Sequence, residues 1–248
     1  MIIIKNEREI QVMKEACRIS AGALKAAGEA VEPGVTTAEI DKLAYDYIKS
    51  QGGEPNFLGY GGFPGTACIS INNEVIHGIP GHRKIKNGDI VSIDLGAKIG
   101  GYNGDNAATF AAGDVSEEAR RLMEATEQSL YEGIKMAVAG NRIGDISYAV
   151  QRYVEARGYS VVRDYVGHGV GASLHEEPEV PNFGRPSHGP RLVPGMTLAI
   201  EPMVNLGGPE VKVLKDKWTV ITQDGSLSAH FEHSVLITSD GPVILTQP

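Results

Sequence analysis

The sequence comes close to repeating itself. A displacement of 106 positions sets Leu24 on Leu130, Gly34 on Gly140, Ile40 on Ile146, Tyr47 on Tyr153 and Gly52 on Gly158. A displacement of 107 sets Ile85 on Leu192, Gly88 on Gly195, Val91 on Leu198, Ile93 on Ile200 and Asp94 on Glu201. Helical phase alone can align apolar residues, but not punctuating glycines and an acid as well. The chain is read as an internal duplication, with pseudo-repeats over about 6–110 and 118–238 inside one domain of 248 residues. The expected fold class is α+β: two halves related by a pseudo-twofold share a curved antiparallel sheet faced by helices. Each half uses the other to cover its sheet.

Each repeat opens with two helices. Asn6 and Glu9 have capping-box spacing for a helix running to about Val31, ended by Pro33-Gly34. Thr36 or Thr37 caps a second helix through Ile48, stopped near Gly52-Gly53. The later pair is placed at about 118–139 and 146–156, and residues 54–67 read as a Gly/Pro-rich loop. Short strands are expected around 67–71, 75–76, 90–95 and 102–109.

Two acids stand in those last strands. If the chain turns at Lys98-Ile-Gly-Gly101, Asp94 and Asp105 lie almost opposite one another, about 4.5–5.5 Å apart at Cβ. Opposed bare carboxylates repel, and partial burial adds a desolvation cost. A cation between them removes both objections. Glu201, the repeat mate of Asp94, then Glu232 in SAHFEHSVLIT and His168 in YVGHGVG complete a candidate set of four carboxylates and one imidazole. Four negative charges balance two divalent cations, and oxygen ligation with one nitrogen suits manganese, iron, cobalt or zinc.

The same residues carry a family resemblance along essentially the whole chain. NEVIHGIP (73–80), DIVSIDLGAKIGGYNGD (89–105), VGHGVGASLHEEPEVPN (166–182), GMTLAIEP (195–202) and SAHFEHSVLIT (228–238) occur in the order found in bacterial type I methionine aminopeptidases. The resemblance implies the pita-bread fold and a dinuclear site built from Asp94, Asp105, His168, Glu201 and Glu232, with Asp105 and Glu232 bridging. Only 33 positions separate His168 from Glu201, which leaves no room for the helical insertion of the type II enzymes. It further implies that Glu201 relays the proton of an activated water. His175 would donate to the scissile carbonyl oxygen, and His77 would lie near the leaving nitrogen.

By the same resemblance, Phe57, Tyr60, Phe63, Cys68, His77, Leu174, His175 and Trp218 bind substrate, aromatic faces receiving a thioether. Phe57, Gly61 and Phe63 depart from the cysteine, histidine and tyrosine frequent there. His82, His188 and His230 are given solvent or loop roles, and His233 is expected to point away from Glu232. Cys68 is not expected to act as a nucleophile. The implied substrate is the exposed initiator methionine of a nascent polypeptide, preferably before a small second residue, with transient ribosome contact.

Composition narrows the alternatives. A net charge of −8 argues against stable nucleic-acid binding. No long uncharged apolar run or secretory leader is visible, and two cysteines make no stapled scaffold. A cytoplasmic monomer is expected. A catalytically silent binding module would typically have lost ligands, and an Xaa-Pro-directed peptidase typically carries a separate preceding domain.

Overall fold

The computed structural model describes residues 1–247. Helix α1 (Glu7–Glu29) begins at a reciprocal cap: the Asn6 side chain accepts from Glu9 N at 3.1 Å, and Glu9 Oε2 accepts from Asn6 N at 2.7 Å. Helix α2 (Thr37–Ser50) has the same device between Thr36 and Glu39. In the second half, α3 (Glu117–Lys135) stops four residues before its expected end. Met136 and Ala137 already bond three residues back, to Gly133 and Ile134, which tightens the last turn. Helix α4 (Ile143–Glu155) starts three residues early because the Asp145 carboxylate accepts from Arg142 N at 2.7 Å.

The duplication is visible in backbone detail. Helices α2 and α4 begin 106 residues apart, at Thr37 and Ile143. Isolated bridges Thr36–Lys84 and Arg142–Arg191 occupy matching places. Gly34 (φ 102°) donates to Ile85 O at 2.8 Å, and Gly140 (φ 99°) donates to Leu192 O at 2.9 Å. A residue with a Cβ rarely adopts that φ, so both halves place glycine there.

A nine-stranded antiparallel sheet joins the halves. Its middle runs Ala67–Ile71, Ile90–Ile99, Tyr102–Ala111, Glu232–Thr238, Thr197–Ile200, Gly167–Gly169, with Glu54–Pro55, Glu176–Val180 and Gly241–Ile244 added at the sides. Three strands of the first half thus meet three of the second across the contact between Tyr102–Ala111 and Glu232–Thr238. The stretch 54–67, expected to be a loop, contains one short edge strand and a 3-10 turn at Tyr60–Gly62.

Alternation decides which face does what. Val91, Ile93 and Leu95 join Ile19, Ile40 and Ile48 in a core beneath α1 and α2. Leu198 and Ile200 join Leu130, Ile134 and Ile146 beneath α3 and α4. Each such side chain contributes about 1.5–3 kcal/mol on burial. The intervening residues look the other way: Ser92 Oγ meets Thr109 Oγ1 at 2.9 Å, and Asp94 follows it on that inner face.

Candidate metal centre and substrate cleft

Sheet register alone brings the acids together. Asp94 pairs with Ala107, and Ala107 pairs with Glu232 on its other side. Paired residues share a face, and so do residues two apart in one strand. Asp105 therefore joins Asp94 and Glu232. Glu201 lies one residue past Ile200, the partner of His233, and so continues toward Glu232. His168 pairs with Ala199, two before Glu201. All five candidate ligands lie on the inner face, four of them in four different strands and Glu201 just past the end of a fifth, from both halves.

The hairpin differs in detail from expectation. Its loop is only Gly100-Gly101, so Asp105 pairs with Gly96. Asp94 and Asp105 stand diagonally across the ladder, two residues out of register, rather than opposite.

The site is electrostatically unbalanced without a cation. Asp105 and Glu232 are 3% and 2% exposed. Burial, then repulsion from neighbouring carboxylates, pushes the pKa values of both well above the carboxylate range. Burial also raises Asp94 and Glu201. Asp94 Oδ1, Asp105 Oδ1 and Glu232 Oε1 have no hydrogen-bond partner. Atoms of Asp105, His168 and Glu232 lie within 4.8 Å of one another. Unpartnered oxygens, surplus negative charge and one imidazole fit a divalent cation of the manganese-to-zinc group.

His168 is oriented for that role. Its Nδ1 is 2.9 Å from the Gly169 carbonyl, so Nδ1 carries the proton and Nε2 presents a lone pair. Nε2 lies 3.8 Å from Asp105 Oδ2 and 3.5 Å from Glu201 Oε1. Burial holds the ring near pKa 4, so these contacts are not ion pairs.

Beside the acids opens a cleft of about 220 Å³, lined by every residue the sequence assigned to metal or substrate. That volume suits one side chain better than a large ligand. Phe63, 3% exposed, meets Trp218 edge-on at 5.1 Å. The Asp216 carboxylate accepts from Trp218 N and Thr219 N, fixing the turn that presents the indole. Phe57, Cys68 and Leu174 complete the apolar wall. His77, at φ 58°, is near the indole (6.3 Å between rings), and burial lowers its pKa to about 4. His175 stands at the rim with its ring 4.2 Å from that of His168 and its Nδ1 2.8 Å from the Tyr60 hydroxyl.

Comparison with known proteins decides the family. The metallopeptidase family M24 profile matches residues 11–239. The methionine aminopeptidase of Clostridium acetobutylicum is 56% identical over 99% of each chain. Methionine aminopeptidase 1 of Bacillus subtilis is 53% identical over the full length of both. The crystal structure of methionine aminopeptidase from Thermotoga maritima superposes with a TM-score of 0.99, covers both chains completely, and is 46% identical. The chain belongs to metallopeptidase family M24.

Several features of this M24 site were not expected from sequence. His230 is not a solvent or loop residue. It lies in strand Ser228–His230, is 1% exposed, and has Nε2 3.7 Å from Glu201 Oε2 with neither ring nitrogen hydrogen-bonded. Nothing in its neighbours distinguishes it from a surface histidine; only tertiary burial does. Tyr165, two residues before Gly167, packs edge-on against His77 at 5.7 Å, and a lone tyrosine in that place gives no local signal. His82 and His188 are exposed, as expected. His233 does point away, toward Thr246 Oγ1 at 2.9 Å. Burial and nearby Asp94 and Asp105 keep the Cys68 thiol protonated, which agrees with its not being a nucleophile.

Proposed function

We propose that this chain is a methionine aminopeptidase that removes the N-terminal methionine of new polypeptides by metal-dependent hydrolysis. The observation that carries this reading is the convergence of five ligand-type side chains from both halves beside a one-residue cleft. Asp94, Asp105, His168, Glu201 and Glu232 would hold two cations, with Asp105 and Glu232 shared between them. Manganese, iron, cobalt and zinc suit the donors, and when bound such ions supply Lewis acidity and a water deprotonated near neutral pH.

The chain's own residues do the rest. Glu201, with a side chain 13% exposed, faces the cleft and takes the proton of the attacking water. With the Tyr60 hydroxyl, 2.8 Å away, as donor to His175 Nδ1, the proton of that neutral ring sits on Nε2, where it meets the scissile carbonyl oxygen. His77, neutral and half-buried, faces the leaving nitrogen. Phe57, Phe63, Cys68, Leu174 and Trp218 receive the methionine side chain, with about 0.3–1.5 kcal/mol per good sulfur–aromatic contact. A free α-amine is required because only it can approach the centre unblocked.

A small second residue is preferred, in keeping with a cleft of only about 220 Å³. The 248 residues act as one catalytic domain, in the cytoplasm, as a monomer, with transient ribosome contact and neither stable nucleic-acid binding nor membrane attachment. Among the described residues, no helix is long and apolar enough to cross a membrane.

The test is hydrolysis of Met-Ala-Ser, Met-Lys-Ser and an Ala-Pro peptide by protein loaded with manganese, iron or cobalt. Cleavage of the first alone is expected. No cleavage of Met-Ala-Ser with any metal removes the reading; equal cleavage of both Met peptides removes only the second-residue preference; preference for Ala-Pro replaces the activity with an Xaa-Pro-directed one.

A further inference from the structure

The segment preceding α1 is tied to the turn that carries His175 by two charges shut away from water. Lys5 Nζ lies 2.6 Å from Glu176 Oε2, with the side chains 2% and 4% exposed. Lys5 is itself fixed: its main-chain N–H donates to Gly195 O at 2.8 Å, and Nζ also donates to Ile3 O at 3.3 Å. The second carboxylate oxygen of Glu176 accepts from Ser173 N at 3.2 Å. Leu174 and His175 are the two residues spanned by that bond.

The other side of the turn is held as well. Asn103 Nδ2 donates to Gly171 O at 2.8 Å and Ala172 O at 3.1 Å. There is no slack between them: a Cβ on Gly171 would come within 2.5 Å of Glu176 Oε1 and 2.6 Å of Lys5 Cε. A buried ion pair is a poor device for stability, because apolar residues of similar size often do as well or better. A carboxylate held by a fixed ammonium through one oxygen, and holding a main-chain N–H through the other, sets the shape of a turn.

We propose that Lys5 and Glu176 are positioning residues for His175, the pair acting as a strap that keeps the 171–176 turn in its working shape. This rests on the assignment of His175 to the scissile carbonyl. Loosening the strap leaves the metal ligands and the wall formed by Phe57, Phe63, Cys68 and Trp218 in place, and displaces Leu174 and the ring that must meet a developing charge.

The experiment compares manganese-saturated full-length wild type, Lys5→Met, Glu176→Gln, Lys5→Met/Glu176→Met and His175→Ala. Turnover of Met-Ala-Ser, manganese affinity by calorimetry and thermal midpoint are measured for each. Lys5→Met is expected to lose at least about tenfold in kcat, with KM and manganese affinity within about twofold of wild type. The double apolar variant is expected to regain thermal stability but not kcat, because Ser173 N–H still lacks its acceptor. A purely structural pair would give recovery of both, and that result overturns the proposal. So does a kcat within about twofold of wild type in folded Lys5→Met. If Lys5→Met does not fold, the double variant and Glu176→Gln decide by the same criteria. Wild-type turnover in His175→Ala overturns the assignment of His175 and the strap together, whereas a slow His175→Ala beside unimpaired strap variants overturns the strap alone.

Discussion

Tyr60→Phe removes one hydroxyl, 2.8 Å from His175 Nδ1, and little that packs. Without that donor the His175 proton is free to move to Nδ1, leaving a lone pair where a donor is needed. We expect kcat on Met-Ala-Ser to fall about tenfold, with KM changed much less. An unchanged kcat would deny the hydroxyl its orienting part. Asp105→Asn deletes a charge from the centre of the acid cluster, and manganese affinity should fall at least about a hundredfold by calorimetry. Residues such as Asp94 and Asp105 were legible in sequence because a carboxylate inside an apolar strand needs a reason. His230 and the Tyr60–His175 bond were not, since burial and long-range partners leave no trace in local spacing.

Packing of α1 against the central hairpin depends on one missing side chain. A Cβ at Gly104 would lie 2.6 Å from Cys17 Cα, on the face opposite Asp105. Gly104→Ala should cost at least about 1–3 kcal/mol in urea unfolding, with the helix pushed off the strand that carries Asp105. Stability equal to wild type would mean that helix and hairpin can separate without penalty. The elements themselves were largely readable: a capping box announced α1, a threonine cap announced α2, and glycine punctuation announced the repeat. The hairpin register was misjudged because Gly100-Gly101, with φ of 57° and 86°, forms a complete two-residue turn. That moves every pairing two residues from a register centred on 98–101. The early start of α4, three residues before the expected first turn, turned on the carboxylate of Asp145, which accepts from Arg142 N at 2.7 Å.

At the scale of the whole molecule, the gathered acids tie stability to metal and pH. Burial raises Asp94 from 3.8 to about 7 and Glu201 from 4.5 to about 8. Groups raised in this way stabilise the fold at low pH and lose that contribution as pH rises through the higher values. His77 and His168, lowered from 6.5 to about 4, act oppositely and only below 6.5. Between pH 6.5 and 8 the acids alone count, and chelator-treated protein should lose at least on the order of 1–2 kcal/mol of stability over that range, the share of Asp94 and Glu201. Saturating manganese should abolish the loss, because the cation takes the place of the protons. A chelated protein whose thermal midpoint rises across the same interval would contradict the burial of these carboxylates. The architecture was visible in sequence as a duplication, yet convergence was not: only the ladders across both halves set Asp94, Asp105, His168, Glu201 and Glu232 on one face.

The most direct measurement is a manganese titration of chelator-stripped protein, following Met-Ala-Ser hydrolysis and bound metal together. Hydrolysis should be absent at the start and should rise with metal bound at these five side chains, saturating by two equivalents. Undiminished hydrolysis in stripped protein, or none at full loading, would contradict a peptidase built on a metal held between the two halves.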